Sequence, residues 1–460
     1  MIRPYLRQGA AGHYYKKTFL YRMKKYILLL VLLPFFVNCS KVSELTSRDS
    51  KKEKTINAEI TTDIKPGANT YGVVAGVLEW KDPGFSPFSS RNRKDKELHS
   101  LLESQSVPQG NVSLLIDREA TVNAMKSAVL TALDKAPEGS TFIFYYAGHG
   151  VKDSDSRIYF ASYDITTGKY KSTGFDVSWL GDAIRDKFKG KLVWLLADCC
   201  YSGALLDEAE KISSAGKNVI VLTSAASCNI STANWTFTQS MIDCLSGLPL
   251  ADRNGDGIIS INETGTELGD AMKYRERQMC GFKLFGVNET APLVKTSGSV
   301  TSGSGDLVPG AYYMAPKGGD MAAVRILKSD NNQVECEFYD YSDKSTVTFT
   351  KNELQPIYFV NYSVGDKIKV SWEGRWYDAE VKKAQNDFYY IKYAGYEDFW
   401  NEWVAYDRIK TGKERTAQIE QNGVWYPGIV LEEKGGKYFI RYDNYSYVWD
   451  EWVGNDRIKF

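Results

Sequence analysis

Two short stretches of this 460-residue chain carry reactive side chains at the ends of apolar runs. The first, Phe142-Ile143-Phe144-Tyr145-Tyr146-Ala147-Gly148-His149-Gly150, ends on a histidine between glycines. The second, Leu192-Val193-Trp194-Leu195-Leu196-Ala197-Asp198-Cys199-Cys200-Tyr201-Ser202-Gly203, ends on a cysteine pair. A thiolate is the nucleophile in cysteine chemistry, so such a residue needs a base in reach and a polar, accessible setting. His149 is the base available: of the other two histidines, His13 is far upstream and His99 lies on a predicted helix. Flanking glycines permit close backbone approach and unusual dihedrals. Acyl transfer also needs N–H donors where the oxyanion develops. The amides of Gly150 and Cys200 are the candidates. The chemistry implied is attack of a cysteine–histidine pair on a carbonyl carbon.

The surrounding pattern explains how the two residues would meet. Apolar runs predict strands at 71–80, 111–116, 140–146, 191–197 and 218–223, with a short one at 157–162. Helical periodicity predicts helices at 91–103, 120–135, 176–188 and 236–245. Strands that alternate with helices and are near-continuously apolar predict an α/β domain with a mostly parallel sheet, helices on both faces. Ligands of such sheets bind beyond the C-terminal strand ends. His149 and Cys200 both sit just past such ends.

The blocks Tyr146-Ala147-Gly148-His149-Gly150 and Asp198-Cys199-Cys200-Tyr201-Ser202-Gly203 resemble the two signature blocks of the caspase-like peptidases, nearest the metacaspase and bacterial branch. The separation of 51 residues (200 − 149) is close to the roughly 50 expected of caspases. The resemblance covers about 71–290 and selects Cys200 over Cys199 as nucleophile. Tyr201 departs from the histidine usual in metacaspases. The resemblance also implies a primary pocket lined by two aspartates that select Arg or Lys. Asp198 matches one, and Asp95, opening the predicted first helix, matches the other. Carboxylates pair strongly with a guanidinium.

A second motif closes this domain. Asp252-Arg253-Asn254-Gly255-Asp256-Gly257-Ile258-Ile259-Ser260-Ile261-Asn262-Glu263 fits the twelve-residue EF-hand loop. Its ligands would be the side chains of Asp252, Asn254, Asp256, Ser260 and Glu263 and the carbonyl of Ile258, around Ca²⁺. A helix over 266–274 would follow. Nothing predicts an organic cofactor. The three histidines and the lack of a CxxC spacing argue against a histidine- or cysteine-based metal centre. The formal net charge of zero argues against nucleic acid. Export would permit a disulfide among Cys228, Cys244 and Cys280, and spacing selects no pair.

The N-terminus addresses the chain. Met23-Lys24-Lys25 precede an apolar run at 27–37, too short to span a bilayer and of secretory type. Phe36-Val37-Asn38-Cys39 resembles a lipobox, which implies lipidation of Cys39 in a bacterial envelope. Ser40 in place of Asp implies the outer rather than the inner membrane. Met23 or Met1 would be the start. Residues 40–70 read as a tether.

Beyond a Ser/Gly-rich linker at 291–306 the pattern changes to short strands. Two segments, 363–410 and 411–460, repeat at an offset of 49, as Trp376 to Trp425 shows (425 − 376). Glu402-Trp403-Val404 likewise matches Glu451-Trp452-Val453. A constant offset is an internal duplication. The copies resemble small Tudor, agenet and chromo-barrel modules, and 307–358 reads as a degenerate third, with Phe338, Tyr339 and Tyr341 as its aromatic remnant. Most of the aromatics fill small cores. Tyr377, Tyr393, Tyr396 and Trp400, with Tyr426, Tyr442, Tyr445 and Trp449, form two candidate cages for a cation or an extended peptide.

Together these features predict a lipid-anchored cysteine endopeptidase that cleaves after Arg or Lys, with a peptide or envelope ligand on its barrels. The alternative is a catalytically silent scaffold of the same fold whose barrels do the binding.

Overall fold

A computed structural model describes residues 59–62, 64–298, 307–330, 332–338 and 345–460. Cys39, the apolar run before it, Tyr339 and Tyr341 lie outside the described residues. Among the described residues no helix is long and apolar enough to cross a membrane.

The N-terminal half is built on a six-stranded sheet. Its strands are β1 (Thr70–Gly76), β2 (Val112–Ile116), β3 (Thr141–Ala147), β7 (Leu192–Asp198), β8 (Asn218–Thr223) and β10 (Gly281–Phe285), in the order β10-β8-β7-β3-β1-β2. All neighbours are parallel except β10, which runs antiparallel to β8. A small antiparallel sheet of β4 (Gly150–Lys152), β5 (Ile158–Phe160) and β6 (Phe175–Asp176) follows β3. β9 (Ile258–Ser260) pairs with β11 (Pro292–Lys295).

Because side chains alternate across a strand, each buried strand feeds two cores. Val74, Ile143, Tyr145, Trp194 and Leu196 pack with helices α1 (Lys94–Ser104), α5 (Thr236–Leu245) and α6 (Ile261–Glu276). Val73, Phe144, Tyr146, Val193 and Leu195 pack with α2 (Val122–Lys135), α3 (Val177–Lys187) and α4 (Ala204–Ser214). Thr121 caps α2 by accepting from the Ala124 amide at 3.2 Å. Asp176 caps α3 in the same way from Ser178 at 2.9 Å. The fold is thus the expected α/β arrangement. Helix α4 and strands β10 and β11 are additional to the sequence reading, as are the short strands β4, β6 and β9. The helix expected at 266–274 begins earlier, at Ile261, where Ser260 and Glu263 form a capping box.

Three five-stranded antiparallel sheets follow. They comprise β12 (Tyr312–Lys317) to β16 (Gln355–Pro356), β17 (Lys367–Trp372) to β21 (Ile409–Lys410), and β22 (Arg415–Gln421) to β26 (Ile458–Lys459). Each has the order fourth-third-second-first-fifth. Each second strand, β13 (Asp320–Ser329), β18 (Arg375–Gln385) and β23 (Val424–Lys434), is bulged, between Ile326 and Lys328, Val381 and Lys383, and Val430 and Glu432. A bulge bends its strand and curls a short sheet into a half-barrel.

Helix α6 joins the two halves. Glu267 pairs with Arg325 of the first module at 2.6 Å, and Lys273 pairs with Asp387 of the second. Arg277, just past the helix end with φ +53°, lies over the rings of Phe359, Tyr406 and Tyr447 at 4.6, 5.8 and 4.7 Å.

Candidate active site

The register of β3 and β7 sets His149 and Cys200 past the ends of neighbouring strands. Ala147 pairs with Asp198, the last residues of their strands. His149 and Cys200 each lie two residues further on. Gly148 has φ +151°, and a Cβ there would meet the Tyr146 Oη at 2.5 Å and the Val77 carbonyl at 2.7 Å. A Cβ on Gly150 would stand 1.8 Å from the Cys200 carbonyl oxygen. Glycine at 150 is needed for its backbone to approach that of Cys200, and glycine at 148 for the turn past Tyr146 and Val77.

His149 is held by a loop that sequence reasoning passed over. Its Nε2 lies 2.9 Å from the Ser86 carbonyl. A carbonyl only accepts, so Nε2 carries the proton and the neutral ring keeps a lone pair on Nδ1. The rings of Phe88, Trp80 and Phe85 surround the imidazole at centroid distances of 4.3, 4.5 and 5.8 Å. Burial pushes the imidazole pKa down, against the opposing pull of the Ser86 carbonyl. The Tyr146 hydroxyl, 2.9 Å from the His149 carbonyl, fixes the main chain beneath.

Cys200 sits where main-chain groups converge. The Ser231 amide donates to its Sγ at 3.2 Å. Burial pushes the thiol pKa up, while hydrogen bonds from the main chain of Ser231, Gly150 and Cys200 itself pull it down. Burial thus acts on both side chains in favour of the uncharged form. Cys199 points into the core shared with Phe144 and Leu195, and burial holds its thiol well above the ordinary range. Cys228, Cys244, Cys280 and Cys336 are free thiols as well. Tyr201 takes φ +58°, and its amide donates to the Asn229 carbonyl at 2.7 Å.

An open cleft of about 380 Å³ lies beside the sulfur, lined in part by Asp198, Cys200, Arg91, Phe88, Asn234 and Trp235. Asp198 accepts from the Thr238 hydroxyl at 2.6 Å and its amide at 3.3 Å. Burial nevertheless raises its carboxyl to about 7. Asp95 is a different case. It is fully buried, and its carboxylate already holds the Arg93 guanidinium at 2.6 Å. Arg93 also pairs with Asp117 and donates to the Gly76 carbonyl at 2.9 Å. Burial, and then the charges of Asp198 and Asp95, push the Tyr145 hydroxyl well above its ordinary pKa.

Residues 91–282 match the family described as the caspase domain. The chain carries a caspase-like domain. Residues 418–458 match the Agenet domain, within the last of the three half-barrels. No curated protein matches the chain. Among solved structures, protein GSU0716 from Geobacter sulfurreducens is similar at 14% identity and a TM-score of 0.36, over 50% of this chain and 99% of that one. The tandem Agenet domain 3-4 of ADCP1 is similar at 19% identity and a TM-score of 0.10, over 21% of this chain and 79% of that one. For Agenet domains of AGDP1 from Arabidopsis thaliana the figures are 17%, 0.09, 21% and 81%.

At the far end of the caspase-like domain, the acidic loop folds around its own amides. Asp252 accepts from Gly255 and Gly257 at 2.8 and 2.9 Å. Glu263 spans the loop, accepting from Arg253 at one end and Ser260 at the other, at 2.9 and 2.8 Å. Asn254, Asp256 and the Ile258 carbonyl lie between them in sequence. These hard oxygens are a donor set that suits Ca²⁺. Among the described residues no three acidic, histidine or cysteine side chains converge as a metal site.

The two candidate cages are triads of tyrosines. Tyr377, Tyr393 and Tyr396 meet edge to face with centroids 5.9 to 6.2 Å apart. Tyr426, Tyr442 and Tyr445 do the same at 5.9 to 6.0 Å. Behind each triad is the same relay. Tyr393 donates to Glu402 at 2.7 Å, which pairs with Arg408 at 2.8 Å. Tyr442 donates to Glu451 at 2.7 Å, which pairs with Arg457 at 2.7 Å. Trp400 and Trp449 are half-buried against these cores.

Proposed function

We propose that this protein is a cysteine endopeptidase working through Cys200 and His149, exported and lipid-anchored through Cys39. The observation that carries the reading is the pairing of Ala147 with Asp198, which sets both reactive residues beyond adjacent strand ends. In this reading His149 Nδ1 takes the Cys200 proton as the sulfur attacks the scissile carbonyl carbon. The amides of Gly150 and Cys200 receive the oxyanion. The C–N bond then breaks, and His149 gives its proton to the leaving amine. Water, with His149 as base, hydrolyses the thioester and frees the thiol.

Selection of Arg or Lys rests on Asp198, since Asp95 has a guanidinium of its own. The tyrosine triads are proposed to take an extended peptide or an envelope ligand, and the acidic loop to take Ca²⁺ as a structural ion. Two observations support the triads as a ligand site: their repetition and the half-exposed ring of Tyr445, 49% accessible.

The test is hydrolysis of Arg, Lys and Asp fluorogenic peptides by the wild type and Cys200→Ala. Cys200-dependent turnover after Arg or Lys is expected. Turnover only after Asp would keep the peptidase, remove the role of Asp198 and direct attention to Arg91 in the same cleft. No Cys200-dependent turnover on any peptide would favour the silent scaffold.

A further inference from the structure

We propose that the middle C-terminal module is a working part of the catalytic centre, with Asn229 as the positioning residue that ties its edge strand to the Cys200 loop. This rests on the peptidase reading above. Strand β20 (Glu402–Ala405) lies at the edge of its sheet, paired on one side only, with β19 (Phe388–Tyr393). An edge strand leaves outward N–H and C=O groups without ladder partners. The Asn229 carboxamide closes one such pair. Its Nδ2 donates to the Trp403 carbonyl at 2.6 Å, and the Trp403 amide donates to its Oδ1 at 3.0 Å. One side-chain amide thus pairs with one main-chain residue through both of its polar ends. Asn229 is buried, so removing it takes these two bonds from Trp403, whose main chain also hydrogen-bonds the Cys228 sulfur.

The backbone around Asn229 holds the nucleophile. Its carbonyl accepts the Tyr201 amide at 2.7 Å. Tyr201 has φ +58°, a conformation that a residue other than glycine keeps only when its surroundings impose it. Two residues beyond Asn229, the Ser231 amide donates to Cys200 Sγ. A continuous set of hydrogen bonds therefore runs from Trp403 through Asn229 to the turn that carries Cys200.

The histidine side is held by the same module. Lys152, at the end of β4 and three residues past His149, donates to the Phe399 carbonyl at 2.8 Å. Its ammonium also stands over the Phe399 ring at 3.9 Å. Residues 399–403 of the module thus touch both chain segments that bear the dyad. Turnover should depend on this docking even for a peptide too short to reach the tyrosine triads.

The experiment compares full-length wild type, Asn229→Ala and Lys152→Ala in two assays. One is kcat and KM on a short fluorogenic peptide. The other is the pH dependence of Cys200 alkylation by iodoacetamide, with the labelled site read by mass spectrometry. In Asn229→Ala, kcat should fall about 10- to 100-fold with KM within about twofold, as for a small misplacement of reacting groups. Alkylation should move to higher pH as the Ser231 donor shifts. Lys152→Ala should show the same signs with a smaller loss. Wild-type kcat and alkylation in Asn229→Ala would overturn the proposal, as would a loss confined to KM. If Asn229→Ala does not fold, Lys152→Ala decides by the same criteria. If the wild type turns over no peptide, the peptidase reading fails, and alkylation, which needs no substrate, still decides the positioning role.

Discussion

His149 donates its Nε2 hydrogen to the Ser86 carbonyl at 2.9 Å, so a main-chain group orients the ring that the proposed dyad would use as its base. No substitution can delete this carbonyl, but the aromatic walls around the ring can be changed. Burial lowers the His149 pKa, so the ring stays neutral to a pH below the ordinary histidine value. The acid limb of kcat/KM should lie below that value in the wild type. Phe88→Ala and Trp80→Ala should admit water and move the limb upward. A wild-type limb at or above the ordinary histidine value would contradict this account of the site.

Cys200 makes the complementary prediction. Burial outweighs the converging main-chain donors and raises its thiol pKa. Without substrate, alkylation of Cys200 should keep accelerating as pH rises through the ordinary cysteine range, with no plateau near neutrality. A plateau near neutral pH would mean that a thiolate–imidazolium pair forms at rest.

Asp198 offers a pH signature for specificity. Its folded pKa of about 7 lies above the usual carboxylate value. Its neutral form therefore contributes stability that is present below the unfolded value and lost as pH rises through about 7. The same titration creates the charge that a substrate guanidinium would meet. Preference for Arg over a neutral residue, measured as a ratio of kcat/KM, should rise through that window in the wild type. Asp198→Asn should flatten it, since Asn keeps an acceptor for Thr238. A wild-type ratio independent of pH would remove Asp198 from the reading of substrate charge.

The sequence made the sheet legible because its strands are buried on both faces and read as apolar runs. The predicted strand at 218–223 and helix at 236–245 have the observed bounds, β8 and α5. The strand predicted at 71–80 stops at Gly76. Beyond it the Val77 amide turns to the Ala147 carbonyl and the Leu78 amide to Asp117. Helix α4 was detectable, since Leu205, Ala209 and Ile212 are buried at helical spacing. The histidine's surroundings were not. Trp80, Phe85, Ser86 and Phe88 lie on an irregular loop with no period, and only their aromatic density beside Pro83 and Pro87 marks them. Asp95, which the resemblance offers to a substrate, is paired with Arg93 two residues away, a contact the resemblance does not reveal. The contact of Asn229 with Trp403 spans 174 residues and leaves no local signature. The offset of 49, in contrast, already couples Glu402 with Glu451, the acceptors of the two buried tyrosine hydroxyls.

The union of the two halves can be probed at Glu267 and Arg325. Their side chains are 2% and 3% exposed and meet at 2.6 Å. Breaking a buried pair from one side leaves an uncompensated charge, at a cost of about 3–5 kcal/mol. Glu267→Gln should lower stability on that scale in denaturant unfolding. Replacing both residues with apolar side chains of similar volume should restore much of it. Equal stability of the single variant and wild type would mean that the pair does not hold the first module to α6.

The acidic loop ahead of α6 carries the calcium prediction. Its carboxylates are arranged by loop amides, with Asp252 on Gly255 and Gly257 and Glu263 on Arg253 and Ser260. Each carboxylate oxygen keeps a lone pair for a cation beside its loop hydrogen bond, and a loop this exposed is expected to bind in the weak range of extracellular modules. Titration calorimetry should give a dissociation constant of about 10⁻⁴ to 10⁻³ M for Ca²⁺. Saturating Ca²⁺ should raise the melting temperature, because an ion that binds only the folded state stabilises it. Asp256→Asn is the informative variant. Its side chain retains an acceptor for the Ile258 amide, bonded at 2.8 Å, yet removes one negative charge from the proposed ligand set. It should weaken Ca²⁺ binding while leaving the melting temperature without Ca²⁺ nearly unchanged. Because α6 leads from this loop to Glu276, which accepts from Asn234 in the wall of the cleft at 2.9 Å, hydrogen exchange along α6 should slow when Ca²⁺ binds. Heat of binding absent at millimolar Ca²⁺, with no change in melting temperature, would leave the loop as a self-satisfied turn capping α6.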